Sequence, residues 1–490
     1  MEILDPLDSL MLAAEVVSSP MHVAALLILS PPEGENPEQP EEPEDPEDYV
    51  KRIYEETLAS SVEVDPRLRR MPHSGVDTGF MWAWRDVTER GGGLDLRHHV
   101  QRRTVAAEKG MDGLWEMVAD LHALRLERSS PLWMAYLIDG LPDGRFAFYV
   151  KVHHIVVDGV AGLQMITSSL SPDPDERGMP PFFAAASPAP DATRPERRRP
   201  PILLSALRTL TETASAGVEL TAKVVESQLS NVINSLVTRS IVAPFSAPRT
   251  RFNVSLGPFR SVAGATLDRS RIQAVQEAGG VTGNDVVMTV IAGGLRGWLA
   301  ERGELPDKSL VAICPVTVRG RGSAVADSHG NQFGLGLCPL GTDIENPAER
   351  LALIHDGMAN VKQQVEEHGA GATVAAMGPA IGPTILLPML PFDAKVPPSF
   401  NLPISNVPGP REPMYFNGAS VDEIFPISSI WDGMGLNVTV CSYAEQIGIG
   451  YVVDRDIVTN IETLIPFTEQ ALTDLEAAVG IKAGTRKRRR

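Results

Sequence analysis

The alternation of apolar and polar positions predicts both strands and helices. The runs 134-MAYLIDG-140 and 145-RFAFYVKV-152 are short and rich in β-branched and aromatic residues, and they flank 141-LPDG-144, which predicts a hairpin. In 158-DGVAGLQMITSSL-170 the positions Val160, Leu163 and Ile166 recur at helical spacing. A longer helix is predicted from Leu203 through Leu207, Leu210, Ala214, Val218, Val225, Leu229 and Val232 to Leu236, with Pro244 ending it. The run 285-DVVMTVIAGGLRGWLAERG-303 predicts another helix, with Asn284 as its N-cap and Gly303 as its stop. Strands are expected at 309-SLVAICPVTVR-319 and, as a second hairpin, in 434-MGLNVTVCSYAEQIGIGYVVD-454. The fold class is therefore mixed α/β.

Breaks in the pattern divide the chain. Residues 33–48 are rich in Pro and Glu and read as a surface loop. Residues 171–201 hold nine prolines and read as a linker. This predicts an N-terminal lobe over 1–200, a connecting helix over 201–245 and a C-terminal lobe over 246–490. The apolar stretch 373-TVAAMGPAIGPTILLPMLPF-392 carries four prolines and two glycines, which argues against one spanning helix. It reads as broken helices that line a cleft or dip into a membrane surface.

Charge narrows the choice of partner. The chain has 490 residues and a formal net charge of -18. Nine acids in 33–48 and six bases in 482-KAGTRKRRR-490 are local features, and without both the body stays acidic. An acidic body excludes a general nucleic-acid binder, which needs a basic face for phosphates. The tail has two readings, a frayed solvated terminus or a contact with anionic lipid or nucleic acid. Cys314, Cys338 and Cys441 are widely spaced and contain no CxxC pair, which fits a reducing compartment without a disulfide framework or zinc site. The start 1-MEILDPLDSLMLAAEVV-17 lacks the basic opening of a secretory signal, so a cytoplasmic, non-secreted protein is expected.

The chemistry concentrates in 151-KVHHIVVDGVAG-162. A histidine at the end of a buried strand can take a proton from a hydroxyl and return it, provided its orientation is held. Asp158 can organise the following turn, and Gly159 allows close approach of backbone or ligand. No HEXXH pattern or second ligand cluster accompanies the pair, so no metal is expected. GxSxG and Walker A motifs are also absent, which points to direct transfer onto a hydroxyl or amine with no bound cofactor. A second pair, His98–His99 in 94-LDLRHHVQRR-103, lacks the Asp-Gly and reads as structural.

The pattern HHxxxDG, with several other stretches, resembles the bacterial wax ester synthase/acyl-CoA:diacylglycerol acyltransferase family. That family lies within the superfamily of chloramphenicol acetyltransferase and peptide-synthetase condensation domains. The matching stretches are 6-PLDSLMLAAEVVSSPMHVAALLIL-29, 131-PLW-133, Asn284-Asp285, 315-PVTVR-319, 330-GNQFG-334 and 406-NVPGPREPMYFNGA-419. One departure is Met134, where an acid usually follows the tryptophan. The acidic insert and the basic tail are others.

The resemblance implies two chloramphenicol-acetyltransferase-like lobes with a tunnel between them. It implies transfer of a long-chain acyl group from acyl-CoA to diacylglycerol, with long-chain alcohol as another acceptor. His154 is then the general base and His153 its support. Asn284 is either an oxyanion donor or only a helix cap. Asp158 pairs with Arg319 structurally, and Asp285 organises its loop. Pro131, Leu132 and Trp133 form tunnel wall or lobe packing, and Gly159 lets substrate pass. Acyl-CoA is a substrate, and association with a membrane or lipid inclusion is expected. Two other readings stay open: an acyltransferase fed by a carrier-protein-bound donor, and a non-catalytic lipid-binding protein.

Overall fold

The computed structural model describes residues 2–4, 6–17, 19–32, 35–36, 39–43, 45–90, 93–185, 238–317, 333–368 and 397–481. Two six-stranded sheets organise them. The first runs Tyr415–Phe416, Ala419–Ile427, His22–Ser30, Phe146–His153, Trp133–Asp139, Val100–Thr104. The second runs Arg260–Asp268, Gln446–Asp454, Leu436–Tyr443, Leu402–Pro408, Val311–Thr317, Phe333–Pro339. A three-stranded sheet of Glu2–Ile3, Ala83–Asp86 and Arg70–His73 stands beside them.

The predicted hairpins form. Trp133–Asp139 pairs antiparallel with Phe146–His153, and Asp143 and Gly144 in the turn have φ of 60° and 68°. Positive φ at successive turn residues matches the twist of the strands they join. Alternate residues enter two cores. Trp133, Ala135, Leu137 and Val150 face one, and Tyr136, Ile138, Ala147 and Tyr149 face the other. Burial on both faces explains why these strands are nearly continuously apolar.

The strand Ala419–Ile427 lies late in the chain yet pairs with His22–Ser30, so the first sheet is built from both ends of the sequence. The two sheets meet where this strand crosses Gln446–Asp454. A Cβ on Gly448 or Gly450 would lie 2.1 Å from the Ile424 carbonyl oxygen or 1.9 Å from that of Pro426. Glycine is required there because backbone meets backbone.

In the second sheet, Leu402–Pro408 pairs with Val311–Thr317 only at Ala312–Leu402 and Ile313–Pro403. From Ile404 onward it pairs with Leu436–Tyr443 alone.

Three expectations change. The helix after the Asn-Asp motif is Gly283–Glu301, and its N-cap is Thr282 and not Asn284. Thr282 and Asp285 satisfy each other's backbone N–H groups as a capping box. Within 33–48, Glu35–Asn36 pairs with Gln39–Pro43, and Asp45 caps the helix Pro46–Ala59. Proline at the first helical position and Glu47 and Asp48 in the first turn suit a helix start. In the proline-rich segment, Phe182 and Phe183 are buried against Trp133. The predicted helix over 203–236, Arg319, the stretch 373–392 and the basic tail lie outside the described residues. Among the described residues, no helix is long and apolar enough to cross a membrane.

Candidate active site

The histidine pair sits where Phe146–His153 ends. The His153 backbone N–H donates to the Leu132 carbonyl at 2.9 Å, and that of His154 donates to the Met21 carbonyl at 2.9 Å. Both neighbouring strands thus continue to hold the chain as it leaves the sheet. His153 is fully buried, and its Nδ1 accepts the Ile155 N–H at 3.2 Å. An accepting Nδ1 puts the proton of the neutral ring on Nε2. That nitrogen faces Glu15 Oε2 at 3.5 Å, longer than a good hydrogen bond.

Glu15, on the helix Pro6–Val17, was not among the residues expected at the site. It is buried, and it accepts the Met21 N–H at 3.1 Å and an Arg128 guanidinium N–H at 3.0 Å. Burial alone would raise its carboxyl. His153, the Met21 N–H and Arg128 together outweigh that and bring it down to about 2. An ionised Glu15 therefore backs His153, and Arg128 balances its charge.

His154 is half-buried. Its Nδ1 is enclosed and makes no hydrogen bond to the described residues, whereas Nε2 is not among the enclosed, unpartnered atoms. Burial holds the imidazole below its ordinary value, partly opposed by its own backbone carbonyl and by Asp158. A neutral imidazole with one open nitrogen can accept a proton from a hydroxyl.

Asp158 turns away from this task. Its Oδ1 accepts the Ala161 N–H at 2.7 Å and caps the helix Gly159–Thr167. Its expected partner Arg319 is outside the described residues, while Arg67, held by Asp65, lies within its electrostatic reach. Gly159 has ordinary helical backbone, and an added Cβ would meet only Val407 Cγ2, at 3.5 Å.

Val407 brings in the second sheet. Its neighbour Asn406 donates from Nδ2 to Asn284 Oδ1 at 3.1 Å. The Asn284 Nδ2 group donates to the Met288 thioether at 3.4 Å. Asp285 is buried and accepts from the Thr282 N–H at 3.0 Å and His355 Nδ1 at 2.8 Å, so it organises the helix start.

The Pro-Leu-Trp segment is packing. Trp133 is fully buried, donates to the Leu68 carbonyl at 2.9 Å and stacks on His99 at 4.4 Å. The aromatic rings of His99, Phe182 and Phe183 pack around it, which is the packing alternative of the two expected for this segment. Leu132 joins a small core with Leu12 and Ile155, and Pro131 is buried beside it. His99 donates from Nδ1 to the Trp133 carbonyl at 2.8 Å, a structural role. Among the described residues, no three His, Cys, Asp or Glu side chains gather as a metal site.

Residues 4–287 match the wax ester synthase/diacylglycerol acyltransferase catalytic domain, and residues 329–476 match the WS/DGAT C-terminal domain. A Mycobacterium tuberculosis protein named "Probable diacyglycerol O-acyltransferase tgs2" is 34% identical over 483 residues, 98% of this chain and 100% of that protein. The solved wax ester synthase/diacylglycerol acyltransferase from Marinobacter aquaeolei VT8 is 30% identical, with a TM-score of 0.73, over 98% of this chain and 100% of that one. The first condensation domain of the calcium-dependent antibiotic synthetase shares the fold at 14% identity and a TM-score of 0.54, over 98% of this chain and 97% of that one. The chain therefore belongs to the wax ester synthase/diacylglycerol acyltransferase family, and it is an acyltransferase with the condensation-domain fold.

Proposed function

We propose that the protein transfers a long-chain acyl group from acyl-CoA to the free hydroxyl of diacylglycerol, forming triacylglycerol. The observation that carries this reading is the neutral, half-buried His154 with its open Nε2, at the end of a strand fixed on both sides. His154 Nε2 takes the hydroxyl proton as the oxygen attacks the thioester carbonyl. The tetrahedral intermediate then expels the sulfur, which receives the proton and leaves as CoA thiol. Proton transfer of this kind contributes about 10²–10⁴-fold in rate. His153, backed by Glu15, keeps the end of the strand in one arrangement and touches no reacting atom. The Asn284 Nδ2 group, which among the described residues donates to the Met288 thioether, has a second N–H to offer the developing oxyanion. Such a donor is worth about 2.7–4 kcal/mol.

Diacylglycerol is the preferred acceptor in this reading, with long-chain alcohol second. The name of the Mycobacterium tuberculosis relative, a probable diacylglycerol O-acyltransferase, supports that order. The protein works at the surface of a membrane or lipid inclusion on the cytoplasmic side, where such acceptors are dissolved.

The test follows thiol release from palmitoyl-CoA with dioleoylglycerol or hexadecanol offered separately, in the wild type and in His154→Ala. Acceptor-dependent release by the wild type is expected, with a fall of about 10²–10⁴-fold in a folded His154→Ala. Full activity in that variant would remove the general-base role. Release only from a carrier-protein thioester would replace the donor, and binding without release would leave a lipid-binding protein.

A further inference from the structure

The loop joining Arg70–His73 to Ala83–Asp86 exposes more apolar surface than its fold requires. Val76, Phe80 and Met81 are 84%, 74% and 52% exposed. Three large apolar side chains on one short loop differ from the scattered exposure usual on protein surfaces.

The loop is built to hold them there. The Thr78 and Phe80 N–H groups both donate to the Gly75 carbonyl, at 3.1 and 2.8 Å. The Met81 N–H donates to the Thr78 carbonyl at 3.2 Å, and the Ser74 hydroxyl to the Phe80 carbonyl at 3.0 Å. Phe80 has a φ of 63°, directly after Gly79 at 59°. Left-handed backbone strains any residue with a Cβ, and glycine would occupy it freely. Phe80 thus combines a strained backbone with a ring that is largely exposed. Strain that the surrounding hydrogen bonds hold in place, at a residue with no packing to gain from it, motivates a functional reading.

Charge indicates which partner fits. Asp77 accepts from His73 Nε2 at 2.8 Å and from Arg85 at 2.7 Å, and Arg70 pairs with Glu2 at 3.1 Å. The charges around the tip are therefore matched within the protein, whose net charge is -18. This suits a neutral apolar surface and not an anionic one. Position matters too. Trp82, next to Met81, packs in the same small core as Leu12, Leu132 and Ile155. Leu12 lies on the Glu15 helix, and Ile155 follows His154.

We propose that the 74–82 loop docks the protein on the diacylglycerol-containing face of a phospholipid bilayer, with Val76, Phe80 and Met81 seated at headgroup level. This rests on the reading that the acceptor is dissolved in lipid. Apolar side chains seated at a bilayer interface supply such binding in proportion to the area they bury.

The full chain is floated with vesicles of phosphatidylcholine containing dioleoylglycerol, at low and high salt. The wild type floats at both. The double variant Phe80→Gly, Met81→Ser lowers partitioning roughly tenfold or more, while Phe80→Trp retains it. Phe80→Gly also relieves the left-handed backbone, so the double variant should stay folded, which an unchanged thermal midpoint checks. Transfer from octanoyl-CoA to a water-soluble short-chain alcohol is measured in the same samples and stays unchanged. Equal flotation of the double variant, or failure of the wild type to float, overturns the proposal. So does a parallel fall in transfer to the soluble alcohol, which would put the loop in the acyl-transfer machinery. Flotation lost by the double variant with no transfer by any protein would sustain docking and remove the acyltransfer reading instead.

Discussion

The two six-stranded sheets bury different things. Around the first lie Glu15, His22, His99, His122, Lys151 and His153, all buried. Around the second, the main core is aliphatic and aromatic, with Trp298, Leu436, Val438 and Ile449 at its centre. The polar groups of the first region are tied into the backbone. Lys151 donates to the carbonyls of Leu121 and Leu124, both at 2.6 Å, at the end of the helix Gly110–Ala123. Burial draws its ammonium down to about 7. His22 Nε2 donates to the His122 carbonyl at 2.8 Å, and His122 Nε2 donates to the Ser428 carbonyl at 3.0 Å. His22 also lies opposite His153 across the strand pair. Buried polar groups cost stability unless each finds its partner, and they specify one arrangement when it does. The second sheet buries charge too, with Arg260 3.8 Å from Asp454 and Asp285 held by His355, and it brings Val407 and Asn406 against the first. The first gathers the buried histidines.

The sharpest way to break this comparison is to damage each region once. Trp298→Ala should cost about 3–5 kcal/mol, as large-to-small changes of buried aromatic residues do. Glu15→Ala should cost a similar amount, about 3–5 kcal/mol, because it leaves Arg128 without its buried partner. The two should separate on turnover per folded molecule. Urea unfolding and thiol-release assays would find it lowered in Glu15→Ala and near wild type in Trp298→Ala. Wild-type stability and turnover in Glu15→Ala would remove its part in supporting His153.

A smaller effect depends on pH. Burial holds His99 at about 4 and His122 at about 3, against an ordinary 6.5. Above that value neither folded nor unfolded protein is protonated, and the shifts have no effect. As the pH falls below 6.5, the unfolded chain takes up protons that the folded state refuses, so stability declines toward pH 4 and below. At about 1.4 kcal/mol per pH unit, His99 accounts for at most roughly 3.5 kcal/mol of this loss. Glu15 acts in a lower window. Its stabilisation is present above 4.5 and fades as the pH falls toward 2. The urea midpoint should therefore drop between pH 7.5 and 5. His122→Gln should flatten that drop, and an unchanged slope would show that the histidine cluster does not govern it.

The smallest effect concerns Gly159→Ala. An added Cβ meets Val407 at ordinary contact distance, so stability should change by less than about 0.5 kcal/mol. A loss of turnover in that folded variant would locate substrate beside the Gly159 backbone. Unchanged turnover would make Gly159 a packing residue.

Much of this was legible where the determinants lie close along the chain. The two hairpins, the helix after HHxxxDG and the helix before Gly303 follow from local periodicity and turn chemistry. The capping box of Thr282 and Asp285 was readable too, but Asn284 drew attention first. Composition misled at Phe182 and Phe183, because the prolines around them dominated the average. Glu15 gave no local signal, since the residues that explain it are distant. Arg128 is 113 residues away, and His153 lies beyond that.

The sequence by itself determined the α/β class, the strand that ends in the histidine pair and the family to which the chain belongs. Tertiary structure alone decided that Glu15 stands behind His153 and that Ala419–Ile427 completes the first sheet. It also decided that Asn284 meets Asn406 beside the start of the Gly159 helix. The reason is range. Helix periodicity, turns and caps are set by neighbours a few residues apart. Strand order and buried charge pairing are set by which surfaces meet after the chain has closed on itself.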